Sequence, residues 1–231
     1  MIEKFNEAYY KFNNQNKDRI GNLFYSNLIK KNFKFKTYLD FGCGTGLLLK
    51  KLEKIKNLDK LYGYEINDFA IEQSVKNTER SKIFKSLNEI DKNIDLISMI
   101  HIVEHINDLE LVQIFKKLRS KINKNGNILV ATPAKDGLAH KIKKHKWIAF
   151  KDPTHINIKN YEDWNFFFKS QNLNIVNTFS DGLWDFPYKG LFNFIKYINI
   201  YLIMIVQIFL GKLMLKYNEG ETLIFILKFN E

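Results

Sequence analysis

"YLDFGCGTGLLL", residues 38–49, decides how this chain is read. An apolar run closes on Asp40, glycines follow at 42, 44 and 46, and three leucines come next. Such a run reads as a buried strand feeding a tight turn and then a helix. Missing β-carbons in that turn let a ligand lie against the backbone. A P-loop would need a lysine directly after its glycines, yet the first one here is Lys50. A dinucleotide fingerprint would need a glycine where Leu47 stands. Asp40 argues for a ligand with an amine or positive charge, not a pyrophosphate. A second acid, Glu65, closes the run "LYGYEIN" about twenty residues on, the interval at which an acid accepts both hydroxyls of a ribose. Together these residues describe an amine-bearing nucleoside without phosphates.

Outward from this stretch, short apolar runs alternate with amphipathic segments. Strands are expected over Thr37–Phe41, Lys60–Tyr64, Lys82–Lys85, Ile94–His101 and Asn127–Thr132. A helix carrying Leu111, Phe115, Leu118 and Ile122 is expected to open at a capping Asn107 or Asp108. After Pro133 a helix (Tyr161–Gln171) and strands over Asn174–Phe179 and Thr222–Phe229 bring the count to roughly seven. This alternation predicts an α/β fold, a doubly wound and mostly parallel sheet with helices on both faces. One domain, residues 1–231, is the simplest organisation for a chain that is 45% apolar, with a helical segment over residues 1–32.

Asp40 through Gly46, with Glu65 closing the second strand, resembles the class I S-adenosylmethionine-dependent methyltransferases. The resemblance implies seven strands with an antiparallel last one. It also implies S-adenosylmethionine as cofactor. Gly42, Gly44 and Gly46 would cradle the methionine moiety, Glu65 would bind the ribose, and Asp40 would hold the amino group directly or through water. Cys43 and Ile66 would lie alongside, and His101 over the cofactor at the strand end. Cys43 is read as a small turn residue and not as a nucleophile. "DLISMIHIVEHINDLE" is similar to the fourth-strand segment of ubiquinone-biosynthesis O-methyltransferases, with Glu104 and His105 closing the strand. Where that family often has a further acid, this chain has His101. "DPTHINIKNYEDWNFFFKSQNLNIV" is similar to the stretch leading into their penultimate strand, with Thr154 and His155 in place. "DGLWDFPY" resembles a motif of methyltransferases from bacterial surface-polysaccharide clusters.

Five histidines are present, and a largely neutral imidazole suits proton removal from a hydroxyl acceptor. His105 and His155 are the candidates for that step. The bland alternative is that Glu104 and His105 only cap a helix and hold a loop. His140 and His145 lie among lysines in "AHKIKKHKW" and are expected to be solvated. A metal held by His101, Glu104 and His105 would need a helix where a strand is ending, so no metal is assigned.

The charge balance, 36 basic against 25 acidic residues, favours anionic partners. No RNA-binding module or Asn/Asp-Pro-Pro-Tyr-type motif is evident, so nucleic acid is a weaker expectation than a small-molecule or lipid-linked substrate. An RNA methyltransferase and a non-catalytic cofactor-binding protein stay open as alternatives. The single cysteine and the charged N-terminus suggest a cytoplasmic protein. About forty residues, 181–221, separate the last two expected strands. Within them Tyr197 to Gly211 is uncharged and flanked by Lys196 and Lys212. That is too short to span a bilayer. Leu191–Leu215 is therefore read as an interfacial helix at the inner membrane face, a lid, a dimer contact, or a segment packed on its own domain. The basic run Lys141–Lys146 would suit a phosphate on substrate or lipid. The expected activity is methylation of oxygen on a small or lipid-linked acceptor, a glycolipid sugar or a polyprenyl phenol.

Overall fold

The computed structural model describes residues 7–12, 17–185, 188 and 195–230. Its sheet has seven strands in the order β3-β2-β1-β4-β5-β7-β6. They are β1 (Thr37–Phe41), β2 (Lys60–Tyr64), β3 (Lys82–Phe84), β4 (Ile94–Ile100), β5 (Ile122–Pro133), β6 (Leu173–Phe179) and β7 (Thr222–Phe229). β1 to β5 pair in parallel, and β7 runs antiparallel to both β5 and β6. The fold is therefore the doubly wound, mostly parallel sheet that the alternation predicts, with the antiparallel last strand that the resemblance implies. The chain order reverses between β1 and β4, so a crevice opens at their carboxyl ends. His101 and the glycine turn sit at those ends, and Glu65 at the end of β2 beside β1.

Helices α1 (Glu7–Phe12), α2 (Ile20–Asn32), α3 (Leu47–Leu52), α4 (Asp68–Asn77), α5 (Asp108–Arg119), α6 (Leu138–Lys143) and α7 (Tyr161–Ser170) complete the chain with α8 (Ile198–Leu210). The core divides into two layers. Phe115, Leu118, Trp164 and Phe168 cover one face of the sheet. Phe24, Leu28, Leu49, Leu52 and Ile208 cover the other. The first helical stretch is two elements, α1 and α2; residues 1–6, Phe5 among them, and 13–16 lie outside the described residues.

Two boundaries differ from the periodicity. Asn107 is the cap of α5, its side chain accepting from Glu110 N–H. Ile122 leaves the helix that its spacing suggests and opens β5, pairing with Ile94. The helix closes because the Ser120 hydroxyl bonds back to the Lys117 carbonyl at 2.7 Å, and the next carbonyl, that of Lys121, accepts from Ile94 N–H. An apolar residue just past a helix end satisfies either period, and here strand pairing takes it.

The residues between β6 and β7 fold back on the domain. α8 packs on α2, where Asn27 donates to the Ile208 carbonyl at 2.8 Å and Asn32 to the Gly211 carbonyl at 2.6 Å. Fully buried Gln207 donates to the Ser180 and Asp181 carbonyls and accepts from the amides of Met214 and Leu215. The same helix leaves Leu202, Ile205, Phe209 and Leu210 exposed. One face thus packs on the domain, and another remains apolar and open. Residues 191–194 of the expected interfacial segment lie outside the described residues.

Gln207→Leu keeps the volume but strands the buried Leu215 amide and takes a partner from that of Met214. We expect a loss of about 1–3 kcal/mol, the scale of an unsatisfied buried polar group, read as a lower urea midpoint at unchanged slope. An unchanged midpoint would show that α8 is held by its apolar contacts alone.

Candidate functional site

The glycine turn is built by backbone geometry before any ligand is considered. Gly42, Gly44 and Gly46 have φ of 77°, 53° and 76°, left-handed values that side chains with a β-carbon avoid. A β-carbon on Gly42 would also stand 2.2 Å from the Ile102 side chain. The turn is tied to β2 through its start, where the Gly42 and Cys43 amides donate to the Tyr64 carbonyl at 2.8 and 3.1 Å. Cys43 is buried and its thiol pushed well above the ordinary range by that burial. It has the character of a packing residue.

Glu65 does more than its position in sequence announces. One carboxylate oxygen accepts from Gly44 N–H at 2.9 Å, the other from Ile66 N–H at 2.8 Å and Asn67 N–H at 3.0 Å. The acid at the end of β2 therefore fixes the turn that follows β1. Burial raises its pKa, against those three donors. Asp40 is buried at the end of β1 and accepts from the Ser98 hydroxyl at 2.5 Å, which lies 2.6 Å from the Tyr38 hydroxyl. Burial pushes the Asp40 carboxyl up to about 6. A buried carboxylate with no cation beside it among the described residues is a fitting partner for an ammonium group.

Two adjoining cavities open over the turn, of about 720 and 1240 Å³. The smaller is lined by Glu65, Ile66, Tyr10 and Ile102, the larger by Asp40, Cys43, His155 and Asp181. Gly42, Gly44, His101, His105 and Tyr9 line both, as does Ile102. Gly46 lines neither and instead packs close to Ser74 of α4. A β-carbon there would stand 2.9 Å from the Ser74 side chain, so this glycine also seats α3 against α4. The other residues singled out in the sequence meet in one place. Tyr9, Tyr10, Ser98 and Asp152 escaped it because a lone tyrosine, serine or aspartate carries no spacing signal.

His101 follows β4 with φ of 55°, uncommon for a residue with a side chain. Its ring stands 3.3 Å from the Tyr25 hydroxyl and 3.3 Å from a Glu104 carboxylate oxygen. Packing works against its charge, but Glu104 and, farther off, Asp181 hold its pKa above the ordinary value. Glu104 is fully buried, and burial alone would raise it. His101, with the charges of His105 and His155, holds it below the usual carboxylate range.

Residues 103–105 form one 3₁₀ turn, neither strand nor α-helix. The Glu104 carbonyl accepts both Ile156 N–H and Asn157 N–H at 2.9 Å, drawing the 152–157 loop onto the end of β4. The loop-holding role is therefore real, and it also sets His105 and His155 together with ring centres 4.6 Å apart. Burial, then the neighbouring His155, lowers the His105 pKa against the pull of Glu104. Glu104, His105 and His155 place one donor atom each within 4.8 Å, residue types that Zn²⁺ or Mn²⁺ accepts. This set differs from the unassigned one weighed from the sequence, with His155 in place of His101.

The basic segment departs from expectation. His145 is exposed, but His140 is half-buried, stacked at 5.3 Å on Trp147, with Nδ1 on the Lys135 carbonyl. Lys143 is engaged by Asp185 at 2.8 Å and lies over the Tyr188 ring. Both are drawn in because α6 and the turn after it wrap around Trp147, leaving Lys141, Lys144 and Lys146 as the exposed cations.

The family pattern described as "Methyltransferase domain" matches residues 12–178. The chain belongs to that family. It is an enzyme, and S-adenosylmethionine is its cofactor, for which the cradle at Gly42, the buried Asp40 and the Glu65 carboxylate are suited. Among solved structures, it resembles an S-adenosylmethionine-dependent methyltransferase from Archaeoglobus fulgidus at 19% identity and a TM-score of 0.65, over 96% of this chain and all of that one. It resembles the plantazolicin methyltransferase BpumL, solved with SAH, at 14% identity and a TM-score of 0.66, over 98% and 92% of the two chains. A putative methyltransferase from Haloferax volcanii, solved with the activator Trm112, aligns at 14% identity and a TM-score of 0.65, over 100% and 97%. No curated protein matches the sequence.

Two outcomes follow from Gly42 and Asp40. Gly42→Ala forces a β-carbon into Ile102 in a left-handed backbone, and we expect S-adenosylhomocysteine binding to be lost in a folded protein. Affinity should also depend on pH. The Asp40 carboxyl of the free enzyme titrates at about 6, and an ammonium partner favours its charged form. Binding should therefore be full above that value and weaken as pH falls through it. Calorimetry across pH 5–8 checks both, and a pH-independent affinity would remove Asp40 from the ammonium site.

Proposed function

We propose that this methyltransferase acts on a hydroxyl of a lipid-linked acceptor, a glycolipid sugar or a polyprenyl phenol, with His105 as general base. The observation that carries the reading is the place of His105, on the wall shared by the two cavities. The smaller cavity holds the nucleoside end of the cofactor against Glu65 and Ile66. The cofactor supplies a methyl group on a sulfonium. The acceptor enters the larger cavity, where Asp152, Asp181 and Glu221 offer acceptors to hydroxyl groups and Trp147 and Trp184 offer apolar faces to a ring. His105, kept neutral at neutral pH by burial, takes the proton. His155 borders only the larger cavity and orients the acceptor. Such a base contributes about 10²- to 10⁴-fold.

Delivery from a membrane surface accounts for α8. Among the described residues no helix is long and apolar enough to cross a membrane. Leu202, Ile205, Phe209, Leu210 and Met214 nevertheless stand exposed on or next to one helix, with Lys212 and Lys216 nearby in sequence. Apolar burial and attraction to anionic head groups together give reversible attachment where either alone is marginal.

Vesicle flotation tests the location. We expect binding to anionic vesicles that is released by high salt and weakened by Phe209→Ser; failure to float with any vesicle would leave α8 as a lid or a dimer contact. Incubation of membrane and soluble extracts with methyl-labelled S-adenosylmethionine tests the acceptor. Label should enter the lipid fraction, and His105→Gln should cut that transfer about 10²-fold or more while cofactor affinity is kept. Label confined to RNA would support the nucleic-acid alternative.

A further inference from the structure

Hydrogen-bond directions around the 152–157 loop assign a third and a fourth residue to the proton-transfer apparatus. Asp152 accepts twice from Thr154, from its hydroxyl at 2.5 Å and its amide at 2.8 Å. It accepts a further bond from the Tyr9 hydroxyl at 3.3 Å. A carboxylate has no proton to give, so the Thr154 hydroxyl must donate to it. That hydroxyl has one hydrogen. Its contact with His105 Nδ1, at 2.9 Å, can then run only one way, with the ring N–H donating to Thr154 Oγ1. The Thr154 carbonyl, 3.3 Å from the same nitrogen, can likewise only accept. His155 is fixed by the same logic, its Nδ1 donating to the Ala149 carbonyl at 2.7 Å.

We propose that Asp152, acting through the Thr154 hydroxyl, is a positioning residue that locks His105 in the Nδ1–H tautomer and so makes Nε2 its basic nitrogen. The inference rests on the reading of His105 as the base. In the transfer, the acceptor oxygen bonds to the methyl carbon as the carbon–sulfur bond breaks, and the acceptor's O–H proton passes to Nε2. The imidazolium so formed has both N–H groups directed, Nδ1–H to Thr154 and Nε2–H back to the product oxygen. Negative charge faces it from Glu104 on its own turn and from Asp152 across the loop. Without the relay an imidazole in water divides between two tautomers, and one of them has no lone pair at Nε2. Neither Asp152 nor Thr154 need touch the substrate for this.

The test is long-range proton–nitrogen NMR on histidine-labelled enzyme saturated with S-adenosylhomocysteine and held in chelator. His105→Gln assigns the resonance, and His155 serves as internal reference. The parent should show His105 only as the Nδ1–H tautomer. Thr154→Val leaves Nδ1 only the longer contact with the residue-154 carbonyl, so an Nε2–H fraction should appear with His155 and the amide map unmoved, and Thr154→Ser should restore the parent pattern. Labelled-methyl transfer should fall about tenfold in Thr154→Val at unchanged cofactor KM. Should Thr154→Val not fold, Asp152→Ala supplies the same test, because the freed hydroxyl can turn and donate to Nδ1. An Nε2–H tautomer in the parent, or a pure Nδ1–H signal in folded Thr154→Val, overturns the relay. Full turnover in His105→Gln, with the tautomer still locked in the parent, instead overturns the base assignment and leaves the relay as a structural device.

Discussion

Three backbone N–H groups converge on one carboxylate at the end of β2, and the site depends on that convergence. Glu65 joins the amide of Gly44, in the turn after β1, to those of Ile66 and Asn67, which lead into α4. Without it the three left-handed glycines would be the most flexible stretch in the sheet's crevice, since each costs more conformational entropy to order than any other residue. Charge-assisted bonds to backbone N–H are among the stronger hydrogen bonds of proteins, and here they order the turn before a ligand arrives. The same acid faces the cavity. One residue thereby preorganises the cradle and offers it a polar edge.

A second convergence, at the end of β4, assembles the histidine side of the crevice. The Glu104 carbonyl receives two amides from the following loop, and its buried side chain faces His101 while accepting from Thr132 at 3.2 Å. The loop, so held, brings Asp152, Thr154 and His155 to His105. Residues about fifty positions apart in the chain thus share one hydrogen-bonded unit. The two convergences lie at the ends of β2 and β4, the strands that flank β1, so both border the switch point between β1 and β4.

Much of this was legible in the residues. Strands β1, β2 and β7 have the bounds their apolar runs suggest, because central strands buried on both faces carry a continuous signal. The glycine turn and the acid that closes β2 were readable from spacing, and the structure joins them through the Gly44 amide and the Glu65 carboxylate. What escaped lacks a local signature. Ile122 fits a helical and a strand period equally, and only pairing with Ile94 decides between them. His140 looks solvated among lysines, yet Trp147 folds back to cover it. Gly46 reads like its two neighbours, but its space is taken by Ser74 of α4. Tyr9 reaches Asp152 across 143 positions, a contact that no window of sequence contains. The insertion was readable in composition and length, whereas its division into a packed and an exposed face comes from Asn27, Asn32 and Gln207, three polar residues outside any apolar pattern.

The central claim is that the Glu65 carboxylate preorganises the cofactor cradle. Isothermal titration of S-adenosylhomocysteine into the parent and into Glu65→Gln tests it most directly. The amide NH₂ of glutamine must face a backbone N–H on one side, so one of the three bonds is lost. The account predicts one-to-one binding to the parent, and binding to a folded Glu65→Gln weakened by about 1–3 kcal/mol, roughly five- to 150-fold. Equal affinity in the two proteins, or no binding to the parent, would contradict it.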